Sequence, residues 1–256
     1  VVLETLSAFG SGHIGGSMSA ADLMGVLYSG TMRVDPQNPQ WSDRDYFVCS
    51  KGHVGPVVYS ALALSGFFPR EELKTLNHLG THFPSHCDRT KTPGIDMTAG
   101  SLGQGLSAAV GIALGNKLAG RENYCYALIG DGESQEGQIW EALMFAGHNK
   151  LNHLIAFIDN NQMQLDGPVV EINRIDNYKE RLESFYWNAI DVDGHDANQI
   201  LDAITQAKQS TERPTCIILH TVKGKGSFSE GKFNHNLPVS HEDAERNIQQ
   251  LKALKW

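Results

Sequence analysis

Short apolar segments rich in β-branched and aromatic residues alternate along this chain with longer segments of helical pattern. The predicted strands are residues 46–50, 124–129, 154–159 and 215–220, with a weaker fifth at 188–192. The predicted helices are residues 20–32, 56–65, 103–118, 138–149 and 198–209. Because short buried strands that alternate with longer helices form a parallel sheet covered on both faces, we predict an α/β fold with a doubly wound, mainly parallel sheet. Residues 1–256 are expected to form a single domain.

The charge balance excludes two classes of partner. The chain has 21 Lys and Arg against 29 Asp and Glu, a formal net charge of −8, whereas proteins that bind nucleic acid or anionic membranes carry an excess of basic residues. No apolar segment approaches the roughly 20 residues of a membrane-spanning helix, and no signal peptide opens the chain. The four cysteines are far apart and fit no CxxC spacing. We therefore expect a cytoplasmic protein without disulfides, nucleic-acid partner or membrane partner.

Glycine, acidic, amide and histidine residues follow each predicted strand. The five segments are Lys51-Gly52-His53, Gly130-Asp131-Gly132-Glu133, Asn160-Asn161, Asp193-Gly194-His195 and Lys223-Gly224-Lys225-Gly226. Ligands of open parallel sheets bind beyond the carboxyl ends of the strands. We therefore expect all five strands to contribute to one polar crevice.

Asp131 and Asn161 are the strongest candidates for binding a metal ion. Asp131 lies between two glycines at a strand end, where no neighbouring Cβ obstructs a close approach. Asn161 follows the next strand, one helix and one strand later, so a right-handed crossover returns it to the same edge. Carboxylate and amide oxygens suit Mg²⁺ or Ca²⁺, with phosphate oxygens of a ligand completing the coordination. Two ordinary turns remain the alternative, since Asp-Gly and Asn-Asn are common there.

Gly130-Asp131-Gly132 followed by Asn160-Asn161 resembles the thiamine diphosphate signature, and the surrounding motifs resemble the N-terminal, diphosphate-binding part of transketolase. The resemblance implies the diphosphate (PP-type) domain of the thiamine-diphosphate-binding fold. It rests on Gly10-Ser11-Gly12-His13-Ile14-Gly15-Gly16, Ser50-Lys51-Gly52-His53, Gly100-Ser101-Leu102-Gly103-Gln104-Gly105, Gly130 through Gly137, and His220-Thr221-Val222-Lys223-Gly224-Lys225-Gly226.

The resemblance also implies a set of site residues. The metal would be bound by the side chains of Asp131 and Asn161 and by the backbone carbonyl of Met163. The histidines implied in catalysis are His13, His53, His86 and His235. The residues implied in cofactor binding are His53, Gly100, Leu102, Gly130, Asp131, Gly132, Glu133, Asn161 and His235. Glu136 and Glu141 would lie at an interface that couples paired sites.

For the activity, the resemblance implies transfer of a two-carbon ketol unit from a ketose phosphate to an aldose, with thiamine diphosphate and Mg²⁺ or Ca²⁺ as cofactors. The pyrimidine-binding and C-terminal domains of transketolase have no counterpart in residues 1–256, so we expect them on a partner subunit. An assembly of two copies of each subunit is the expected form, and a homodimer contact is also possible. The chain alone is expected to be inactive.

Several alternatives remain open. Related thiamine enzymes are 1-deoxyxylulose-5-phosphate synthase, dihydroxyacetone synthase and the α chain of a 2-oxoacid dehydrogenase. A split transketolase specialised for an unusual sugar phosphate, such as apulose 4-phosphate, is another, and a non-catalytic scaffold subunit is a third. A nicotinamide-binding site is disfavoured because residue 135 is Gln where a dinucleotide motif requires its third glycine.

Overall fold

Five parallel strands form the central sheet of the computed structural model, which describes residues 1–233 and 235–253. Residues 254–256 of the predicted domain, and Asn234, lie outside the described residues. The strands in chain order are β1 (Ser11–Gly12), β2 (Tyr46–Cys49), β3 (Cys125–Gly130), β4 (Leu154–Asn160), β5 (Asn188–Asp193), β6 (Thr215–His220) and β7 (Leu237–Pro238). The central sheet has the order β2-β3-β4-β6-β5, and β1 pairs with β7 in a separate antiparallel ribbon. All five predicted strands are confirmed to within one residue at each end.

Helices cover both faces of this sheet. In chain order they are α1 (Val2–Phe9), α2 (Ile14–Ser19), α3 (Ala21–Val26), α4 (Gly55–Leu64), α5 (Gln104–Leu118), α6 (Gly137–His148), α7 (Val169–Ile172), α8 (Tyr178–Ser184), α9 (Ala197–Ala207) and α10 (His241–Ala253). The prediction of one helix over residues 20–32 is wrong in its second half. There the chain forms a π-helical turn over Leu27–Thr31, in which Gly30 has a φ of 121°. Glycine adopts this value readily, and it ends the regular helix.

Alternate side chains along each strand enter two separate cores. Tyr126 and Leu128 of β3 belong to the core beneath α1 to α4 and α9, whereas Ala127 and Ile129 belong to the core beneath α5 and α6. Because both sides of the strand are buried, its sequence is continuously apolar rather than alternating. The doubly wound sheet is thereby confirmed. Asp191 of the edge strand β5 is exposed, which explains why this strand gave the weakest sequence signal.

The amino-terminal and carboxyl-terminal segments pack together beside the sheet. Helix α1 contacts α10, and Ala244 of α10 is buried in the same core as Leu6 of α1. The β1–β7 ribbon lies next to this contact and is only two residues long on each side. None of the helices in residues 1–233 and 235–253 combines the length and the hydropathy that a transmembrane span requires. All four cysteines are buried free thiols.

Candidate active site

A cavity of about 360 Å³ opens at the carboxyl edge of the sheet. Its wall is built by the segments that follow β2, β3, β4 and β6 and by the loops that precede α2, α5 and β7. Each residue predicted for metal binding, cofactor binding or catalysis lines this cavity: His13, His53, His86, Gly100, Leu102, Gly130, Asp131, Gly132, Glu133, Asn161, Met163 and His235. Glu136 also lines it, whereas Glu141 is exposed on α6.

The prediction that all five strands supply the crevice is wrong for β5. This strand lies at the sheet edge beyond β6, and residues 193–195 do not line the cavity. The Nδ1 atom of His195 lies 2.8 Å from the carboxylate of Asp22, and its Nε2 atom accepts the N–H of Val222 at 2.8 Å. His195 therefore fixes the segment that leads to Lys223.

Asp131 is a buried carboxylate held by backbone donors. The N–H of Gly132 donates to its Oδ1 at 2.7 Å, and the N–H of Gln162 donates to its Oδ2 at 2.5 Å. Burial, reinforced by the nearby charge of Asp159, raises the pKa of Asp131 to about 7. Among the described residues, no cationic side chain forms an ion pair with Asp131. A divalent cation at this position would supply the missing positive charge.

Asn161 presents its amide beside Asp131 on the cavity wall. Its Oδ1 accepts the N–H of Met163 at 3.1 Å, and its Nδ2 donates to Asp159 at 3.0 Å. Only 8% of Asn161 is exposed, so these contacts fix which end of the amide faces each neighbour. A carboxylate and an amide oxygen form a hard, oxygen-only donor set, which fits Mg²⁺ or Ca²⁺. Within the described residues, no group of three or more His, Cys, Asp and Glu side chains is arranged to hold a metal, so the remaining ligands of such an ion would have to come from elsewhere.

Gly132 lets the segment after β4 come close to the end of β3. A Cβ atom on Gly132 would lie 2.7 Å from the Cβ of Gln164, which is closer than two carbon atoms pack. The residues from Gln164 to Asp166 form part of the cavity wall beside it. The absence of a side chain at Gly132 therefore lets the segment of Gln164 pack against the end of β3 on the cavity wall.

Two lysines of the cavity were not predicted as site residues. Lys51 forms a buried ion pair with Asp159. Lys223 is 3% exposed, and its Nζ donates to the carbonyl of Gln164 at 3.4 Å, while no ion pair to it is formed by a described residue. Burial, together with the charge of Lys51, lowers the pKa of Lys223. Such a cation favours an anionic ligand in the cavity, and the signal in the sequence was a lysine next to glycine after a strand.

Four histidines from four separate segments surround one end of the cavity. The ring of His13 lies 5.2 Å from that of His53, 5.7 Å from that of His86 and 4.9 Å from that of His235, measured between centroids. The rings of His53 and His235 are 4.7 Å apart. The topology brings together residues that are separated by more than 200 positions in the sequence, as the motif-based prediction implied.

The histidine rings are neutral at physiological pH. Burial, followed by the neighbouring histidines and Lys223, lowers the pKa of His13 to about 4. Burial and Lys223 lower that of His235 to about 4 as well. Burial also lowers the pKa of His53 and of His86. A neutral imidazole can accept a proton from a hydroxyl group and can donate its own N–H, so the cluster is suited to ligands that carry several hydroxyl groups.

A protein-family model matches almost the whole chain. Residues 1–253 match the family model described as "Transketolase, thiamine diphosphate binding domain". The 6-deoxy-6-sulfo-D-fructose transketolase subunit SqwG of Clostridium sp. (strain MSTE9) is 52% identical over 94% of this chain and 89% of that protein. One of the subunits of the apulose-4-phosphate transketolase of Phocaeicola vulgatus is 36% identical over 93% of this chain and 86% of that protein.

Longer relatives contain this domain as one part. Rat transketolase is 39% identical over 97% of this chain, which spans only 40% of the rat protein. Among solved structures, the transketolase of Pichia stipitis in complex with sedoheptulose 7-phosphate superposes with a TM-score of 0.93 and 34% identity. That match covers 98% of this chain and 39% of the other.

Proposed function

The chain belongs to the transketolase family, and on that premise we propose that it is the diphosphate-binding subunit of a two-subunit transketolase. The proposed reaction transfers a two-carbon ketol unit from a ketose to an aldose. The observation that carries the proposal is the joint position of Asp131, Asn161 and the four histidines on one cavity wall. A non-catalytic scaffold would have no need for this set, and its retention supports an enzyme.

Asp131 and Asn161, with the backbone carbonyl of Met163, would hold a divalent cation, and that cation would hold the diphosphate of the cofactor. Lys223 would add a positive charge near the diphosphate. Gly100 and Leu102 would contact the aminopyrimidine side, and Gly130, Gly132 and Glu133 would form the wall behind the diphosphate. Bound thiamine diphosphate supplies the carbanion chemistry that breaks and forms the carbon–carbon bond. The protein residues bind it, orient it and exclude water.

His13, His53, His86 and His235 would handle the protons of the sugar. Their lowered pKa values keep them neutral, so each ring can take a proton from a substrate hydroxyl group as a general base. A neutral ring N–H can also donate to the oxygen of a substrate carbonyl as negative charge develops on it. Their positions in four different segments would let them contact successive hydroxyl groups of one sugar.

A partner subunit would carry the remaining domains. This chain covers about nine-tenths of two relatives that are named as transketolase subunits, and this similarity supports a two-chain enzyme. The exposed apolar side chain of Leu165, which lines the cavity and is 61% exposed, supports the same proposal. We propose an assembly of two copies of each subunit, with Glu136 and Glu141 near the contact between paired sites. We also propose a cytoplasmic location, which fits the four buried free thiols of this chain.

The substrate is proposed to be a ketose with an anionic terminal group. Similarity to the Clostridium subunit at 52% identity favours 6-deoxy-6-sulfo-D-fructose, while similarity to the Phocaeicola subunit supports a sugar phosphate such as apulose 4-phosphate. In either compound, the proposed ketol transfer would take place at the end of the sugar opposite its anionic group. The two candidate substrates therefore differ in their terminal group.

The test is a reconstitution of the chain with a C-terminal transketolase subunit. We expect ketol transfer from a panel of ketose phosphates and 6-deoxy-6-sulfo-D-fructose only when both subunits, thiamine diphosphate and Mg²⁺ are present. The D131N variant should lose activity and thiamine diphosphate binding in calorimetric titration. Turnover by the chain alone, or full binding by D131N, would contradict the proposal.

A further inference from the structure

Asp159 lies on β4, the central strand of the sheet, and is 1% exposed. Its carboxylate accepts hydrogen bonds from residues of four segments. The hydroxyl of Ser19 donates to Oδ2 at 2.5 Å, and the Nδ2 of Asn161 donates to the same oxygen at 3.0 Å. The Nζ of Lys51 also donates to Oδ2, whereas the hydroxyl of Thr221 donates to Oδ1. Four protein donors thus bind this carboxylate, three of them at Oδ2, and it does not act as a free ligand.

We propose that Asp159 is a positioning residue for cation binding, which acts by fixing the amide of Asn161. An asparagine amide can rotate by half a turn, and only one of the two orientations lets its oxygen accept the N–H of Met163 while its nitrogen donates to Asp159. Asp159 accepts a hydrogen bond and has no proton to donate, so it stabilises the orientation in which the amide nitrogen faces β4. The oxygen of Asn161 is then held on the side of Met163, the other residue of this segment that is proposed to bind the cation, before any cation arrives. This inference rests on the proposed role of Asn161 as a metal ligand.

Lys51 makes this arrangement possible by balancing the charge of Asp159. A buried carboxylate without a partner is costly, and Asp131 places a second carboxylate close by. The buried ion pair with Lys51 compensates the charge of Asp159. Residues that orient metal ligands in this way change metal affinity about 10- to 100-fold when they are replaced.

A pair of double variants separates the acceptor from the charge. K51M/D159L removes both charges and also the acceptor for the amide of Asn161, whereas K51M/D159N removes both charges but keeps a carbonyl acceptor. Replacement of a buried ion pair by apolar residues is often neutral for stability. The measurement is Mn²⁺ binding followed by electron paramagnetic resonance, on the full chain assembled with its partner subunit at saturating thiamine diphosphate. Circular dichroism checks the fold.

We expect K51M/D159L to bind Mn²⁺ about 10- to 100-fold more weakly than wild type, and K51M/D159N to bind it like wild type. The S19A variant removes one donor to Asp159 without touching Asn161, and should also bind Mn²⁺ like wild type. Equal affinities of K51M/D159L and wild type would overturn the proposal, as would equal losses in both double variants or in S19A.

Two further variants complete the design. Should K51M/D159L fail to fold, K51M/D159A removes the same acceptor, and the same outcomes apply to it. Failure of the proposed function is recognised separately, because wild type would then not bind Mn²⁺ with the cofactor, or N161A would bind it as tightly as wild type.

Discussion

Glu133, which follows β3, accepts the backbone N–H of Gly103 at 2.8 Å. The same carboxylate accepts the hydroxyl of Ser50 at 2.5 Å and the N–H of Gly130 at 3.0 Å. It is 2% exposed, so these three donors replace the water that a carboxylate would otherwise bind. Because Gly103 ends the loop that contains Gly100 and Leu102, this contact joins one wall of the cavity to the sheet.

The E133Q variant should weaken that wall. Glutamine keeps one acceptor oxygen, and its NH₂ group would face one of the backbone donors, Gly103 or Gly130. We expect a loss of about 1–3 kcal/mol in the free energy of unfolding, measured by urea denaturation, together with weaker thiamine diphosphate binding in calorimetric titration. E183Q changes an exposed glutamate on α8 and serves as the control. Unchanged stability and affinity in E133Q would show that the contact has no structural role.

Replacement of Lys223 should separate binding from stability. The K223M variant removes a buried cation that no described residue pairs with, so the free energy of unfolding should stay the same or rise. The affinity for pyrophosphate, measured by calorimetry, should fall by about 10- to 150-fold, since a charge-assisted contact to an anion is worth about 1.5–3 kcal/mol. K225M removes an exposed lysine of the same loop that pairs with Glu230, and should leave both quantities unchanged. A large loss of stability in K223M would contradict the role assigned to Lys223.

The sequence predicted the sheet well because its signals are local. Continuous apolar segments mark the strands buried on both faces, and their bounds differ from the structure by one residue at most. The kink at Gly30 was missed because the apolar pattern continues through it, although the backbone does not. The short ribbon of β1 and β7 joins residues more than 200 positions apart, and two-residue strands carry no periodic pattern.

The candidate site was likewise predicted where its residues lie in sequence motifs and missed where they do not. Residues in motifs, such as Asp131 and His53, were predicted from the resemblance and line one cavity. The environment of Asp159 was not predicted, because its donors come from four segments and none of them marks the others in the sequence. The prediction that β5 contributes to the cavity was wrong because the strand order decides which carboxyl ends are neighbours. In this sheet β6 separates β5 from β4.

The stability of the chain should depend on pH through His13 and His235. Their pKa values of about 4 lie below the ordinary 6.5, so the unfolded chain binds more protons between these values. The stability that these two rings contribute is therefore fully present above pH 6.5 and is lost as the pH falls from 6.5 toward 4, and solvent screening reduces the effect because both rings are partly exposed. Urea denaturation at pH 7 and pH 5 should give a smaller difference for H13N and H235N than for wild type. H148Q, on the exposed surface of α6, should behave like wild type, and an identical pH response in all four proteins would contradict the prediction.

Two glycines on α5 should respond in opposite directions to alanine. A Cβ on Gly105 would lie 2.5 Å from the Cα of Ser50, where backbone meets backbone and neither can yield without moving α5 from β2. The G105A variant should therefore lose about 1–3 kcal/mol in the free energy of unfolding. Gly111 has open space at the same position, and G111A should gain about 0.5–1 kcal/mol because alanine favours a helix more than glycine does. Urea denaturation of both variants checks the prediction. A loss of stability in G111A as large as that in G105A would contradict it.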